Sequence, residues 1–466
     1  MTEPHNNIYD NNSPRPHRLV VLGGGESGVG AAILGKTKGM DVFLSDSGHL
    51  SPRYAEELRR RDIPFEEGGH TEALILNADE VVKSPGIPPT APMMVKIAEK
   101  GIPVISEIEL GGRYTDARMV CITGSNGKTT TTMLIHHILT EAGVDAALAG
   151  NVGRSLAWQV AEDPHEVYVV ELSSFQLENM YDFRADIAVI MNITPDHLDR
   201  YDYKMENYVR AKFRILQNQR PTDAFIFWED DPVIQRQLEK VVTEARRFPF
   251  AEHPGAGISA WLDANGHMII ETPDEEIDIP RADLALHGLH NLFNSMAAGL
   301  SASLLDIRKE DIRRALCDFE GVPHRLENAG TIDGIRWIND SKATNVNSCW
   351  YALESMPASR STVLILGGKD KGNDYSEILP LVRRKVKAIV AMGKDNAKIL
   401  DYFGKEAPEI PVRDTHSLED AVNACRSLAS DGDTVLLSPC CASFDLFKSY
   451  EDRGDRFKAA VAALRP

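Results

Sequence analysis

The run Met119-Val-Cys-Ile-Thr123 is a short, continuous apolar strand. It passes without a spacer into Gly124-Ser-Asn-Gly127 and then into a helix-patterned stretch from Thr129 to Ala142. A strand that ends in glycines and re-enters the chain as a helix aims backbone N–H groups at a helix N-terminus, where partial positive charge collects. Such a junction belongs to an α/β fold with a mainly parallel sheet, and it can cradle phosphate. Lys128 is spaced to reach the outer phosphates, and the Thr129 hydroxyl to hold a magnesium ion. The pattern departs from the common phosphate loop, which has a glycine five residues before Gly127 where this chain has Ile122.

The same alternation of strand and helix runs through the chain. Arg18–Gly23, Asp41–Asp46, Glu80–Ser84 and Pro103–Ser106 read as strands, with helical spacing over Arg53–Arg61 and Met93–Lys100. The pattern restarts at Met119 and continues through Val167–Glu171 and Asp186–Asn192. Trp261–Glu271 alternates around Asn265-Gly266, which predicts an antiparallel hairpin closed by a two-residue turn. After Gly321-Val-Pro323 come four more strands, Gly334–Asn339, Thr362–Leu366, Lys387–Ala391 and Asp433–Ser438. The expectation is a tail over 1–17, then domains at 18–106, 107–321 and 322–466. A length of 466 residues accommodates this at roughly 100–200 residues per domain. Met1 to Arg18 has no apolar segment and reads as a disordered tail without a secretory signal.

The net charge of −18 argues against nucleic acid and anionic membrane as partners, and no apolar run approaches the roughly 20 residues that span a bilayer. The six cysteines form no CxxC pair, which points to reduced thiols and a cytoplasmic location.

Other polar clusters fall at strand ends. Glu171 closes the strand from Val167, where an acid can face a metal beside a phosphate loop. His197 sits in Asn192-Ile-Thr-Pro-Asp-His197-Leu-Asp199; alone it reads as a loop histidine, and Lys212 as a helix-face lysine. Gly23-Gly-Gly25-Glu-Ser-Gly28 matches GxGxxG, with Asp46 at the end of the next strand; this implies a diphosphate or nucleotide moiety and leaves NAD open. Late in the chain come Pro323-His-Arg325, Asn339–Asn345, Gly367–Lys371 and Ser438–Asp445. The adjacent Cys440 and Cys441 are expected to be buried and inert.

In order along the chain stand TGSNGKTT (123–130), ELSSFQL (171–177), NITPDHLDRY (192–201), YxxAKxRI (208–215), HNxxNxxAA (290–298), PHR (323–325), NDSKATN (339–345) and SPCCASFDxF (438–447). With these motifs the chain resembles the Mur ligases of peptidoglycan synthesis from about residue 18 onward, and most closely the branch that adds D-glutamate. The resemblance implies a Rossmann-like UDP-binding domain, a central P-loop-type ATPase domain with a small antiparallel appendage, and a Rossmann-like C-terminal domain. It implies UDP-N-acetylmuramoyl-L-alanine, D-glutamate and ATP as substrates, Mg²⁺ at two sites, and a monomer.

By the same resemblance Glu26, Ser27, Gly28, Asp46, Ser47, Ser84, Gly86 and Asn151 serve the UDP substrate. Gly124, Ser125, Asn126, Gly127, Lys128, Thr129, Thr130, Asn291, Asn294, Arg325 and Asp340 serve ATP. Thr129 and Glu171 hold one Mg²⁺, and His197 and Lys212 a second. Lys128, Glu171, His197 and Lys212 make up the catalytic set, with Lys212 as an N-carbamate that offers oxygens to the cation. Lys342, Thr344, Lys371, Ser443, Phe444 and Tyr450 match the glutamate side, with Lys369 an alternative to Lys371. The alternatives are a sister ligase with another acceptor, of the Mur or folylpolyglutamate type, an NAD-dependent oxidoreductase read from GxGxxG, and a nucleotide-binding module without activity.

Overall fold

The computed structural model describes residues 15–370 and 372–465. Residues 1–14 of the expected tail and Lys371 lie outside the described residues.

Three sheets organise the described residues. The first contains β1 (Arg18–Leu22), β2 (Asp41–Asp46), β3 (Phe65–Glu67), β4 (Glu80–Lys83) and β5 (Val104–Ile105), all parallel, in the order β3-β2-β1-β4-β5. The second contains β6 (Arg118–Thr123), β7 (Ala146–Gly150), β8 (Val167–Glu171), β9 (Ile187–Ile190), β10 (Ala224–Trp228), β11 (Arg246–Phe250), β12 (Ala260–Leu262), β13 (His267–Glu271) and β14 (Glu276–Pro280), in the order β14-β13-β12-β11-β10-β9-β6-β8-β7. The third contains β15 (Glu327–Ile332), β16 (Ile335–Asn339), β17 (Thr362–Gly367), β18 (Val386–Met392), β19 (Val412–Thr415) and β20 (Thr434–Cys440), in the order β15-β16-β20-β17-β18-β19. The central strands are buried on both faces, so they read as unbroken apolar runs.

The antiparallel appendage β12-β13-β14 continues the second sheet through a parallel β11–β12 pair. Its turn corrects the expected two-residue loop. Asp263 N–H donates to the His267 carbonyl at 2.8 Å, which leaves Ala264, Asn265 and Gly266 in the loop. The Asp263 carboxylate sets this longer turn by accepting the N–H groups of Asn265 (2.9 Å) and His267 (2.7 Å).

The chain forms two compact units. Among the described residues, one comprises 15–284 with 293–318, the other 285–292 with 319–370 and 372–465. The expected joint near residue 106 lies inside the first unit. There the helices Glu26–Thr37 and Leu156–Glu162 pack together, and one apolar cluster, with Leu19, Val29, Leu156, Trp158, Tyr168 and Phe225 among its members, runs from the first sheet into the second. The second unit has apolar clusters on either side of its sheet.

Glu107 is buried in the first unit. Its carboxylate accepts the Ser155 hydroxyl and the Ala157 N–H, each at 2.6 Å, at the start of the helix Leu156–Glu162. Burial pushes its pKa up to about 7 despite these bonds. An unfolded glutamate titrates near 4.3, so between about pH 4.3 and 7 the folded state holds a proton that the unfolded state has lost. The Glu107 contribution to stability is therefore lost as pH rises through that window. Glu107→Gln keeps the acceptor oxygen and removes the titration. Its urea midpoint is expected to fall less between pH 5 and pH 8 than that of the unaltered protein, and parallel curves would refute the assignment.

Candidate functional site

The order of the second sheet places its loops. The chain runs from β6 to β7 and β8 on one side and then to β9 and β10 on the other. The loop after β6 therefore opens at the point where strand order reverses, the position where open α/β sheets bind ligands. Glu171 pairs in register with Ile122, one residue from the start of that loop.

The loop is held from β9. Asn192 O accepts Ser125 N–H at 2.8 Å, Asn192 Oδ1 accepts Asn126 N–H at 2.9 Å, and Asn192 Nδ2 donates to Asn126 O at 3.1 Å. The Ser125 hydroxyl donates to Thr194 O and accepts from Thr194 N–H, at 2.8 and 2.9 Å. Tyr208 adds its hydroxyl at 3.0 Å. Gly127 caps the helix Lys128–Glu141 with φ +84°, and a Cβ there would meet Asn294 Oδ1 at 2.6 Å. Asn294 also takes the Thr131 hydroxyl at 3.2 Å, so it packs beneath the loop. Asn291, one turn earlier in the helix Leu289–Ser303, donates to His287 O at 2.8 Å within the second unit. Thr129 and Thr130 are buried in the first turn after the loop.

Two amines converge on one carbonyl. Lys128 Nζ donates to Gly124 O at 2.8 Å and to Ser125 O at 2.9 Å, and Lys212 Nζ donates to Gly124 O at 2.7 Å. Lys212 is 2% exposed and lies 4.6 Å from the Tyr208 ring centroid. Burial, then the Lys128 charge, pushes the Lys212 ammonium well below the usual lysine range. Glu171 is buried at the end of β8 and accepts Asn151 Nδ2 at 2.8 Å, which brings Asn151 to the carboxylate. His197 has φ +51° and opens the 3-10 turn Leu198–Tyr201. Its ring meets Phe175 edge-on at 5.3 Å, with the Asp196 carboxylate at 3.6 Å.

The first sheet also reverses order, between β1 and β4, and a cavity of about 650 Å³ lies there. Gly23, Gly24, Gly25, Asp46, Ser47, His70, Ser84 and Gly86 are among its lining residues. Asp46 holds the glycine turn by accepting the N–H groups of Gly24 and Gly48. Glu26, Ser27 and Gly28 do not line it. Glu26 accepts Ser155 N–H and the Tyr54 hydroxyl, both at 3.2 Å. Gly28 packs against β1, where a Cβ would fall 1.9 Å from Gly23 O.

In the second unit, the ends of β16, β17 and β20 bring three of the sequence clusters to one sheet edge. Asp340 N–H donates to Leu437 O, and Lys369 N–H to Ala442 O, each at 2.8 Å. Asp340 is buried, accepts Ser438 Oγ at 2.8 Å, and is pushed up to about 7 by burial against the pull of Ser438 and Arg325. Burial, and then the Arg325 charge, drives His290 down to about 3. Lys342 Nζ lies 5.1 Å from the Tyr450 ring, Thr344 N–H donates to Lys342 O, Ser443 is buried and Phe444 is exposed.

Three organising residues escaped the sequence reading. Tyr208 precedes Lys212 by one helical turn, a spacing that could have flagged it. Asn192 opens a quoted motif without a role of its own. Arg453, fully buried, ties the Ser341 and Cys441 carbonyls together and carries no local signal. Among the described residues no three His, Cys, Asp or Glu side chains cluster so as to hold a metal alone.

Three Mur ligase domain profiles match the chain: the MurD-like N-terminal domain over 17–106, the middle domain over 122–302 and the glutamate ligase domain over 324–441. A UDP-N-acetylmuramoylalanine--D-glutamate ligase of Bacteroides fragilis is 59% identical over 448 residues, 96% of this chain and 100% of the relative. The chain belongs to the Mur ligase family. That membership sets aside the oxidoreductase reading of GxGxxG. The enzyme of the same name from Bacteroides thetaiotaomicron is 58% identical over 96% of this chain and 100% of its own. Among solved structures, the UDP-N-acetylmuramate-alanine ligase of Thermotoga maritima superposes with a TM-score of 0.60 at 18% identity, covering 96% of this chain and 100% of that one. At that identity it bears on the fold alone, α/β with three mostly parallel sheets.

Gly127→Ala forces a side chain into left-handed backbone and into Asn294. Affinity for a non-hydrolysable nucleoside triphosphate, read by calorimetry, is expected to fall at least about tenfold. Unchanged affinity would remove the loop from the site.

Proposed function

We propose that this chain is an ATP-dependent ligase that joins D-glutamate to UDP-N-acetylmuramoyl-L-alanine through an acyl phosphate, in peptidoglycan precursor synthesis. The observation that carries the reading is the convergence of Lys128 and Lys212 on Gly124 O, beside Glu171 and at the mouth of a helix. The Lys128 amine, backbone N–H groups and a helix N-terminus suit a polyanion, and Lys212 stands beside them on the same carbonyl. The end-to-end similarity to enzymes of that name supports the substrate choice.

In this reading Gly124–Thr130, Asn291, Asn294, Arg325 and Asp340 bind ATP. The cavity at Asp46, Ser47, Ser84 and Gly86 takes the UDP part of the donor, with Glu26, Ser27 and Gly28 shaping the turn and Asn151 the muramoyl end. Lys342, Thr344, Ser443, Phe444 and Tyr450 serve D-glutamate, with Lys369 or Lys371. The domains are 18–106, 107–321 and 322–466. The enzyme works as a cytoplasmic monomer, in keeping with its free thiols.

The donor's alanine carboxylate attacks the γ-phosphorus of ATP, the bond to the β-bridging oxygen breaks, and ADP leaves. The uncharged amine of D-glutamate then attacks the acyl carbon, and phosphate departs. Lys128 neutralises charge on the transferred group, and the loop amides orient it. His197 assists the loss of the amine proton.

Magnesium, when bound, screens the phosphate oxygens and draws charge from the leaving group. Thr129 Oγ1 and the Glu171 carboxylate suit it, because both are hard oxygen donors. Lys212 as an amine offers the cation no acceptor, so with His197 it fits a second ion only as a carbamate. Its depressed basicity favours the uncharged form that adds CO2.

Phosphate release from ATP with the muramoyl donor and a panel of amino acids tests the reading. D-glutamate alone is expected to stimulate it; stimulation by another amino acid instead would reassign the acceptor. Lys128→Ala should cut turnover by about a hundredfold or more with the fold intact. Lys212→Ala should be partly rescued by added short carboxylates, and a complete failure of rescue would count against the carbamate.

A further inference from the structure

Arg200 follows His197 by three residues, in the turn Leu198–Tyr201, and has no part in the site described so far. Its guanidinium reaches out of the second sheet's loops to the rim of the first sheet's cavity. Nη2 donates to Pro85 O at 3.1 Å and to Ile87 O at 3.2 Å, and Nη1 reaches Gly86 O at 3.5 Å. Gly86 and Ile87 line the cavity, as do their neighbours Ser84 and Pro88. Lys83 holds the same short segment, donating to Ser84 O at 3.3 Å and to Ile87 O at 3.1 Å.

The guanidinium also sits 4.3 Å from the centroid of the Phe175 ring. Phe175 is four residues beyond Glu171, and its ring is the one that His197 meets edge-on. One aromatic ring therefore touches both the histidine and the arginine that grips the cavity rim.

The environment is costly for a cation. The Arg200 side chain is 12% exposed, the Glu178 carboxylate stands 4.0 Å away, and Nε is buried with no hydrogen-bond partner. An ion pair chosen for stability would be closer and more fully bonded. What this geometry secures is three consecutive carbonyls held by one planar fork, which a lysine cannot reproduce.

We propose that Arg200 is a positioning residue that ties the 84–87 rim of the donor cavity to the His197 loop, so that donor affinity depends on a side chain of the catalytic segment. The proposal rests on reading that cavity as the UDP-substrate site.

Steady-state kinetics and calorimetry with UDP test it. In Arg200→Ala the KM for the muramoyl donor and the Kd for UDP should each rise about tenfold, as expected for losing hydrogen bonds to a charged group. The KM for ATP and for D-glutamate should stay within about twofold. Arg200→Lys, which keeps the charge without the fork, should raise donor KM about threefold, and so should Phe175→Leu, which removes the stacking face. These two variants carry the test if Arg200→Ala does not fold. Donor KM within twofold of the unaltered enzyme in the variants that fold would overturn the proposal, and so would donor and ATP KM rising together, the sign of a general loosening. If the unaltered protein binds UDP, the variants weaken that binding and no amino acid drives turnover, the ligase reading fails while the role of Arg200 stands.

Discussion

Asn192 bonds Asn126 in both directions and takes Ser125 N–H on its own carbonyl, so the glycine loop is shaped by the neighbouring strand as much as by its own turn. Each such bond contributes about 1 kcal/mol net, but breaking one leaves a buried amide without a partner, which costs about 1–3 kcal/mol. Lys128, Lys212, Tyr208 and Asn294 all make contacts with this loop or with the turn that follows it, and their geometry presupposes its conformation. Parallel pairing of β6 with both β8 and β9 supplies the frame, since it brings Glu171 and Asn192 to the two sides of one strand end.

Electrostatics follows from that frame. Two lysine amines on one carbonyl repel each other if both are charged, and burial penalises the deeper one further. Lys212 is the one that yields, pushed well below the usual lysine range by burial and then by the Lys128 charge, while Lys128 is only half-buried. Burial acts in the opposite sense on acids: Glu107 in the first unit and Asp340 in the second are both held near neutrality.

Much of this was legible in the sequence. The central strands are fully buried and therefore written as apolar runs, and the glycine loop advertises its own turn. Short strands at or near sheet edges, such as Phe65–Glu67 and Val412–Thr415, lack such runs and are not legible, and the sequence reading also lacks the buried apolar strand Ala224–Trp228 in the middle of the second sheet. The three-residue hairpin turn is not legible, because Asn-Gly is a strong local signal for a two-residue loop whereas the Asp263 side chain acts from just outside it. Lys212 and His197 were invisible to spacing because their company is assembled by the fold, and only likeness to a family singled them out. Asp46 and Ser84 meet at one cavity although they are remote in sequence, because the strand order of the first sheet brings β2 and β4 to the two sides of β1.

The cysteines give the molecule an internal clock. Five are buried, and Cys317 is half-buried. Burial raises Cys121, Cys425 and Cys440 far above the usual thiol range and Cys441 to about 11, so the native chain presents almost no thiolate at these positions. An alkylating reagent can reach them only when the surrounding structure opens. Cys121 lies in the strand that feeds the nucleotide loop and reports on the first unit, while Cys349, Cys425, Cys440 and Cys441 report on the second. The rate of labelling at each thiol therefore measures how often its own unit comes apart, without any probe being added to the chain.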